Sequence, residues 1–320
     1  MMKKKDIKEI ITCLGEERRL FYYHKDRYCF DLLRYAMAKN KHQTCKLNQL
    51  KQSQFGQFFT KKSVKEALSI YGQGEISQDQ LACCWLEKPF IFALTLDCWG
   101  NGDRGWDQTS RNQSNLVLQI NFTGEHLDNY YSLIKPDKDD EGPFASDSHP
   151  INTKGRHTMA WVRLDFDLDT NEALIEEVQN DWLRDANRAY MRLKTRRKRN
   201  PNLNPSDVWY SINGDYEGLS RYVETILPPY QQIWAEASLA AAIQFIREEL
   251  GITQIYYHTY ETGKKIKDVA HNPPRSIYTK LPRQFGFKLT ANTPVFLRND
   301  KVARRYLKAI RQPNWYVMQL

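Results

Sequence analysis

The run Glu176-Glu177-Val178-Gln179-Asn180-Asp181-Trp182 gathers three carboxylates and two amides within seven residues. On a β-strand, side chains alternate between faces. Period-2 geometry therefore places Glu177, Gln179 and Asp181 on one face, and Glu176, Val178 and Asn180 on the other. Several carboxylates on one buried sheet face are costly unless they are paired or used. The preceding segment supplies partners, because a strand over Trp161 to Asp167 brings Arg163 and Asp165 within cross-strand reach. Glu177, Gln179, Asp181 and Arg163 together offer a general base, an orienting amide and a guanidinium for an anion, so they form the candidate catalytic set. An exposed face laced with surface ion pairs is the rival reading, and such pairs contribute little.

A second group could bind rather than react. Arg184 to Arg199 holds eight Lys and Arg and a single acid, with Arg184, Arg188, Arg192 and Arg196 recurring every fourth residue. These four, with Arg197, Arg275 and the basic C-terminal stretch, could track a phosphate backbone, and Tyr190, Trp209 and Tyr210 could stack on bases. A solvated helix face carries the same pattern. His126, His149 and His157 match no metal-ligand spacing, so no metal site is expected. Ser110 and Cys98 lack the context of an activated nucleophile. No motif specifies a cofactor.

The Glu177–Trp182 run resembles the E-[IV]-Q-S-D-W motif of uncharacterised bacterial and phage proteins, including very large polyvalent phage proteins; Asn180 stands where they carry Ser. This resemblance covers about a third of the chain and implies no established reaction. The order of strand Ala173–Trp182, helix Tyr230–Leu250 and strand Ile252–Tyr260 is similar to the second half of the GNAT acyltransferase fold. That fold implies acyl-CoA held on backbone amides at a glycine-bearing helix start. Gln231-Gln232-Ile233-Trp234-Ala235 occupies the corresponding place here, without glycine.

The elements that must position these residues read as α+β. The 320 residues are 41% hydrophobic and 27% charged, an ordinary globular balance that excludes general disorder. No apolar run reaches the roughly 20 residues of a membrane helix. Six cysteines, with no C-x-x-C pair, read as free thiols of a cytoplasmic protein. Charge is uneven. Residues 1–70 hold 16 Lys and Arg against 7 acids, residues 71–263 hold 18 against 29, and residues 264–320 hold 13 against 2. Basic ends suggest a polyanionic partner, with nucleic acid foremost.

The expected organisation is a basic helical region over 1–74 and an α+β domain over 75–320. In the first, helices are expected at Asp6–Leu14, Glu16–Ala38 and Gln57–Ile70. In the second, strands over Phe90–Trp99, Asn115–Phe122, His157–Leu168 and Ala173–Trp182 form a mostly antiparallel sheet. An amphipathic helix Leu183–Arg199 follows, and the buried helix Tyr230–Leu250 makes one parallel crossover to Ile252–Tyr260. The end, Pro294–Leu320, reads as a strand, a basic helix and a last strand. The function expected is an enzyme acting on or near nucleic acid. Its rival is a non-catalytic nucleic-acid- or partner-binding protein.

Overall fold

The computed structural model describes residues 3–14, 19–39, 43–72, 74–100, 104–137, 142–152, 154–269 and 273–320. The fold is α+β, with helices at the N-terminus and a central, largely antiparallel sheet. Its strands are β1 (Arg19–Tyr23), β2 (Thr44–Lys46), β3 (Glu75–Ser77), β4 (Phe90–Trp99), β5 (Asn115–Phe122), β6 (Thr158–Asp167), β7 (Glu172–Gln179), β8 (Gln254–His258), β9 (Lys288–Thr290) and β10 (Trp315–Gln319). Eight of them form one sheet in the order β1-β4-β5-β6-β7-β8-β10-β9, while β2 and β3 make a separate small pair. Every neighbouring pair of the large sheet is antiparallel except β7–β8. That parallel pair is joined through the crossover helix Pro228–Glu248, as expected. No helix among the described residues is long and apolar enough to cross a membrane. All six cysteines are free.

One sheet face carries the main core. Leu118, Val162, Leu164, Ile175, Ile255 and Met318 point to it, and the helices Arg27–Lys39, Trp182–Arg197 and Pro228–Glu248 pack there. The crossover helix is apolar almost all round, so it can be enclosed on every side. The opposite face divides in two. Over β7, β8 and β10 it is apolar, where Leu174, Tyr256 and Trp315 meet Ile266, Phe296 and Ala303. Over β4 to β7 it is polar, with Thr95, Gln119, Arg163, Asp165 and Glu177 along it. Basic helix Trp182–Arg197 therefore sits on one side of the sheet, and basic helix Lys301–Lys308 sits on the other.

The expected single helix Glu16–Ala38 is replaced by strand β1 and a helix over Arg27–Lys39, with residues 16–18 outside the described part. Leu20 and Tyr23 mimic helical spacing. The burial is period-2 instead, since Phe21 and Tyr23 are buried while Leu20 and Tyr22 are exposed. Asp26 ends the strand segment in a left-handed turn (φ 64°), and its backbone N–H donates to the buried Glu236 on the crossover helix. Tyr23, Phe30 and Leu118 consequently belong to one core, so residues 1–74 share their interior with the rest of the chain. The expected strand after Pro294 is the short helix Val295–Asn299. Its first N–H groups are met by Glu172, whose carboxylate accepts from Val295 at 2.6 Å.

Candidate functional site

A β-bulge shapes the site. Arg163 pairs with Glu177, and the next residue, Leu164, pairs with Ile175, so Glu176 is the extra residue of β7. Ile175 and Val178, three residues apart, both face the main core. Glu176 and Glu177 are thus both driven onto the polar face. Period-2 counting had put Glu176 opposite Glu177, and the bulge overturns that placement.

Arg163 is buried and ion-paired with Glu177. Its Nη1 donates to Asp107 O (2.6 Å) and its Nη2 to Gln108 O (3.2 Å), and the guanidinium lies by the Trp99 and Trp161 rings. Gln108 takes a left-handed backbone (φ 51°), which is costly for a residue with a side chain. The buried Lys267 donates to Glu176 O at 2.9 Å and stands 3.7 Å from the Glu177 carboxylate. Burial pulls the Lys267 pKa down, against the pull of Glu177. Burial pushes Glu177 up, but Lys267 and Arg163 outweigh it and hold the carboxyl below its ordinary range.

Glu176 is fully buried and accepts from Ser110 N (3.0 Å), Ser110 Oγ (2.9 Å) and His258 Nε2 (3.0 Å). Burial alone would raise its pKa. The hydrogen bond and charge of His258, with Lys267 and Arg163, win and lower it to about 2. Burial lowers the His258 pKa too, against the hydrogen bond and charge of Glu176, and its Nε2 stands 3.0 Å from that carboxylate. Ser110, His258 and Glu176 do not make a nucleophilic relay. Serine and carboxylate both meet the same imidazole nitrogen, and Nδ1 of His258 has no partner. Next along the face, Asp165 takes a bidentate pair from Arg111 (2.8 and 2.7 Å) and a further bond from Gln113. Burial lifts its pKa to about 6 in spite of Arg111, which still leaves it ionised at neutral pH.

Gln179 and Asp181 form the solvent end. Asp181 accepts from His149 Nδ1 (2.8 Å), Trp161 Nε1 (3.2 Å), Gln179 Nε2 (2.8 Å) and Arg184 Nη2 (2.6 Å). Burial raises its pKa, but these donors, His149 first, bring it below the ordinary carboxylate range. The Asp181 side chain is 3% exposed and that of His149 is 29% exposed. A partly open imidazole held by a buried, ionised carboxylate is the arrangement of an oriented proton-transfer group. His149 Nδ1 stands 2.8 Å from Asp181 and 3.1 Å from Gln179 Nε2, so both residues hold the ring on that side.

Arg163 and Glu177 are therefore one direct pair, and Gln179 and Asp181 a second, with Trp161 between them. Sequence reasoning missed His149, Lys267, His258, Ser110 and Arg111 as members of this network. Asn180 shows what the residue before Asp181 does. Its amide oxygen accepts from Leu183 N (2.8 Å) and caps the basic helix Trp182–Arg197.

The basic residues divide as well. Arg184 is engaged by Asp181 and Asp185, and Arg188 by Asp185. Arg192 and Arg196 are exposed. Arg197 instead braces the fold, donating to Leu203 O (2.6 Å) and stacking on Tyr216. Arg275 lies over the Tyr260 ring. Tyr190 is buried and bonded to Glu224, so it cannot stack on a base, whereas Tyr210 is 78% exposed. Among the described residues no cluster of three His, Cys, Asp or Glu is placed to hold a metal ion.

Comparison with protein-family models, curated proteins and solved structures found no match to this chain.

Proposed function

We propose that the protein is an enzyme acting on nucleic acid, with His149 as its proton-transferring group. Asp181 is the positioning residue, and Glu177, Gln179 and Arg163 form the wall beside it. The observation that carries this reading is that Asp181 belongs to two structures at once. It orients His149, and it stands at the N-terminal boundary of the helix whose exposed side bears Arg188, Arg192 and Arg196. Arg184 to Arg197 spans about 20 Å of helix, room for about six phosphates of one strand. A strand lying along it ends at the imidazole. Kinship with the bacterial and phage proteins that share the motif around Glu177–Trp182 belongs to the same proposal, as does a cytoplasmic setting.

The test uses labelled single-stranded RNA, single-stranded DNA and duplex DNA. Fluorescence anisotropy should show binding that weakens steeply between 50 and 200 mM salt, with a log–log slope of about −0.7 to −0.9 per phosphate contact. Arg192→Glu with Arg196→Glu should lower affinity without unfolding the protein. His149→Ala should leave binding intact but abolish any mass change in the incubated oligonucleotide. No binding at low salt overturns the reading. Binding without any product of altered mass removes its enzymatic half. The non-catalytic alternative is favoured by one observation of its own: Glu176 and Asp165 are fully buried and saturated with partners, as in a structural network.

A further inference from the structure

We propose that the basic helix Lys301–Lys308 is a second seat for a nucleic-acid backbone, so that one molecule holds two segments, one on each side of its sheet. Lys301, Arg304, Arg305 and Lys308 recur at the i, i+3, i+4, i+7 spacing of one helix face, and all four are exposed. The complementary positions turn inward. Ala303 and, just past the helix, Ile310 are buried, and Tyr306 and Leu307 pack on the cluster of Leu174, Tyr256 and Trp315. Asp300 is the one acid between residues 269 and 320, and it caps the helix, accepting from Val302 N (2.9 Å) and Ala303 N (2.8 Å). Among the described residues none of the four cations is ion-paired, and the Arg305 guanidinium lies by the Tyr306 ring. Helix Trp182–Arg197 differs, since Arg184, Arg188 and Lys194 are held by Asp181, Asp185 and Glu224. The elements beside the C-terminal helix are basic too. Helix Val295–Asn299 adds Arg298, and helix Tyr260–Ile266 sets Lys264 and Lys265 against the single acid Glu261.

The occupant follows from the layout of the charge. At 1.5 Å per residue the stripe is about 10.5 Å long, and phosphates of one DNA strand lie about 3.4 Å apart along the axis, so about three of them face it. Arg304 and Arg305 offer guanidinium forks that suit phosphate oxygens, and the exposed Arg311 adds a third just past the helix. An anionic membrane fits less well. A helix that lies in a bilayer surface buries an outward apolar face, and here the apolar face is already packed on the sheet. Helix Trp182–Arg197 packs on the main-core face, so the sheet stands between the two basic helices. A straight segment seated on one therefore cannot touch the other, and occupation of both means two segments. The second seat stands on its own residues, whereas the holding of two segments also rests on the strand proposed along Arg184–Arg197.

The test uses the full chain and two short DNA duplexes, one tethered through biotin and one fluorescent. Protein held by the tethered duplex at low salt should capture the fluorescent one, and light scattering with protein limiting should find two duplexes on one chain. Arg304→Glu with Arg305→Glu should keep the first binding, lose the capture and leave the thermal melt unchanged, since both lie off the apolar stripe. Arg192→Glu with Arg196→Glu should lose the capture as well. The binding that this variant retains should follow salt with a log–log slope of about −2.7 to −3.6, three to four contacts at about −0.9 each. Capture undiminished by Arg304→Glu with Arg305→Glu overturns the proposal, as does capture only through pairs of chains. So does tighter binding of phosphatidylserine vesicles than of duplex, lost in the same variant. If Arg192→Glu with Arg196→Glu abolishes all binding, this seat is refuted and the first one stands. If Arg304→Glu with Arg305→Glu abolishes all binding, the strand along Arg184–Arg197 fails instead, and the holding of two segments with it.

Discussion

Replacing Arg163 by Met tests whether the polar face is truly a buried, interlocked network. The substitution keeps an unbranched apolar stem and removes the charge and donors of the side chain. Three acceptors lose Arg163 as a donor: the Glu177 carboxylate, the Gln108 carbonyl and the Asp107 carbonyl, which keeps Trp99 Nε1 at 2.7 Å. Breaking a buried ion pair from one side costs about 3–5 kcal/mol, because the remaining charge is left in the interior. Lys267 stays 3.7 Å from Glu177, so the lower end, about 3 kcal/mol, is expected. An unfolding entropy of about 2.1 cal/mol/K per residue gives about 0.7 kcal/mol/K for the chain. The expected fall in Tm is then about 4–5 °C, read by calorimetry and by Trp fluorescence. Removing the stranded charge as well, in Arg163→Met with Glu177→Gln, should recover part of the loss, since paired replacement is often nearly neutral. A single-variant shift under about 1 °C, or strict additivity of the two substitutions, would refute the reasoning.

Acid should unfold the protein through the same groups. Glu176, Glu177 and Asp181 have folded-state pKa values below their ordinary ones, so the stability they contribute is complete above about pH 5 and is lost as pH falls through 4.5 towards 2. Asp165, raised to about 6, has the opposite sign, and its protonation favours the folded state as pH drops from 6 to 4. The buried His126, lowered to about 3, and His258, also lowered, add a loss that begins as pH falls below about 6.5, so urea midpoints should decline gently from there and steeply below pH 5, and Asp165→Asn should steepen the early loss. Asn180→Ala should cost about 1 kcal/mol by removing the cap on Leu183 N, while Asn180→Ser should be close to wild type, as thermal melts would show. Acetyl-CoA and CoA should give no heat in titration calorimetry. The crossover helix starts at Pro228-Pro229, directly after the helical turns Tyr216–Arg221 and Tyr222–Ile226, so no free amides remain there for a pyrophosphate.

The strand pair β6–β7 was legible because Val162, Leu164 and Phe166 alternate with charged residues on β6 and its turn is built from Asp, Thr and Asn, with Asn171 taking a left-handed φ of 54°. The crossover helix was legible from length and near-continuous apolar character. β1 was not. Five residues cannot separate a period of two from the start of a helix, and the deciding partner, Phe90 to Leu94, lies 71 residues on. The helix Arg275–Gln284 was hidden for a different reason, since it contains Pro282.

The gathering of charge on this strand was readable and its placement was misread, and both follow from one residue. Glu176 has nothing in its own neighbourhood that announces a bulge. Its extra place in β7 is stabilised by Ser110, His258 and Lys267, which are 66, 82 and 91 residues away. Buried charge is tolerated only when partners converge, and convergence is a property of the fold, which a local pattern does not encode. Asp181 makes the same point at the solvent end. Its acidity and its place before a helix are visible in the chain, but its meaning depends on His149, in a loop 32 residues earlier. A carboxylate that only stood before a helix would serve stability. With an imidazole held 2.8 Å away and 29% exposed, the same carboxylate is, in the proposed reading, the group that positions a base, and the strand that precedes it is the wall of the site.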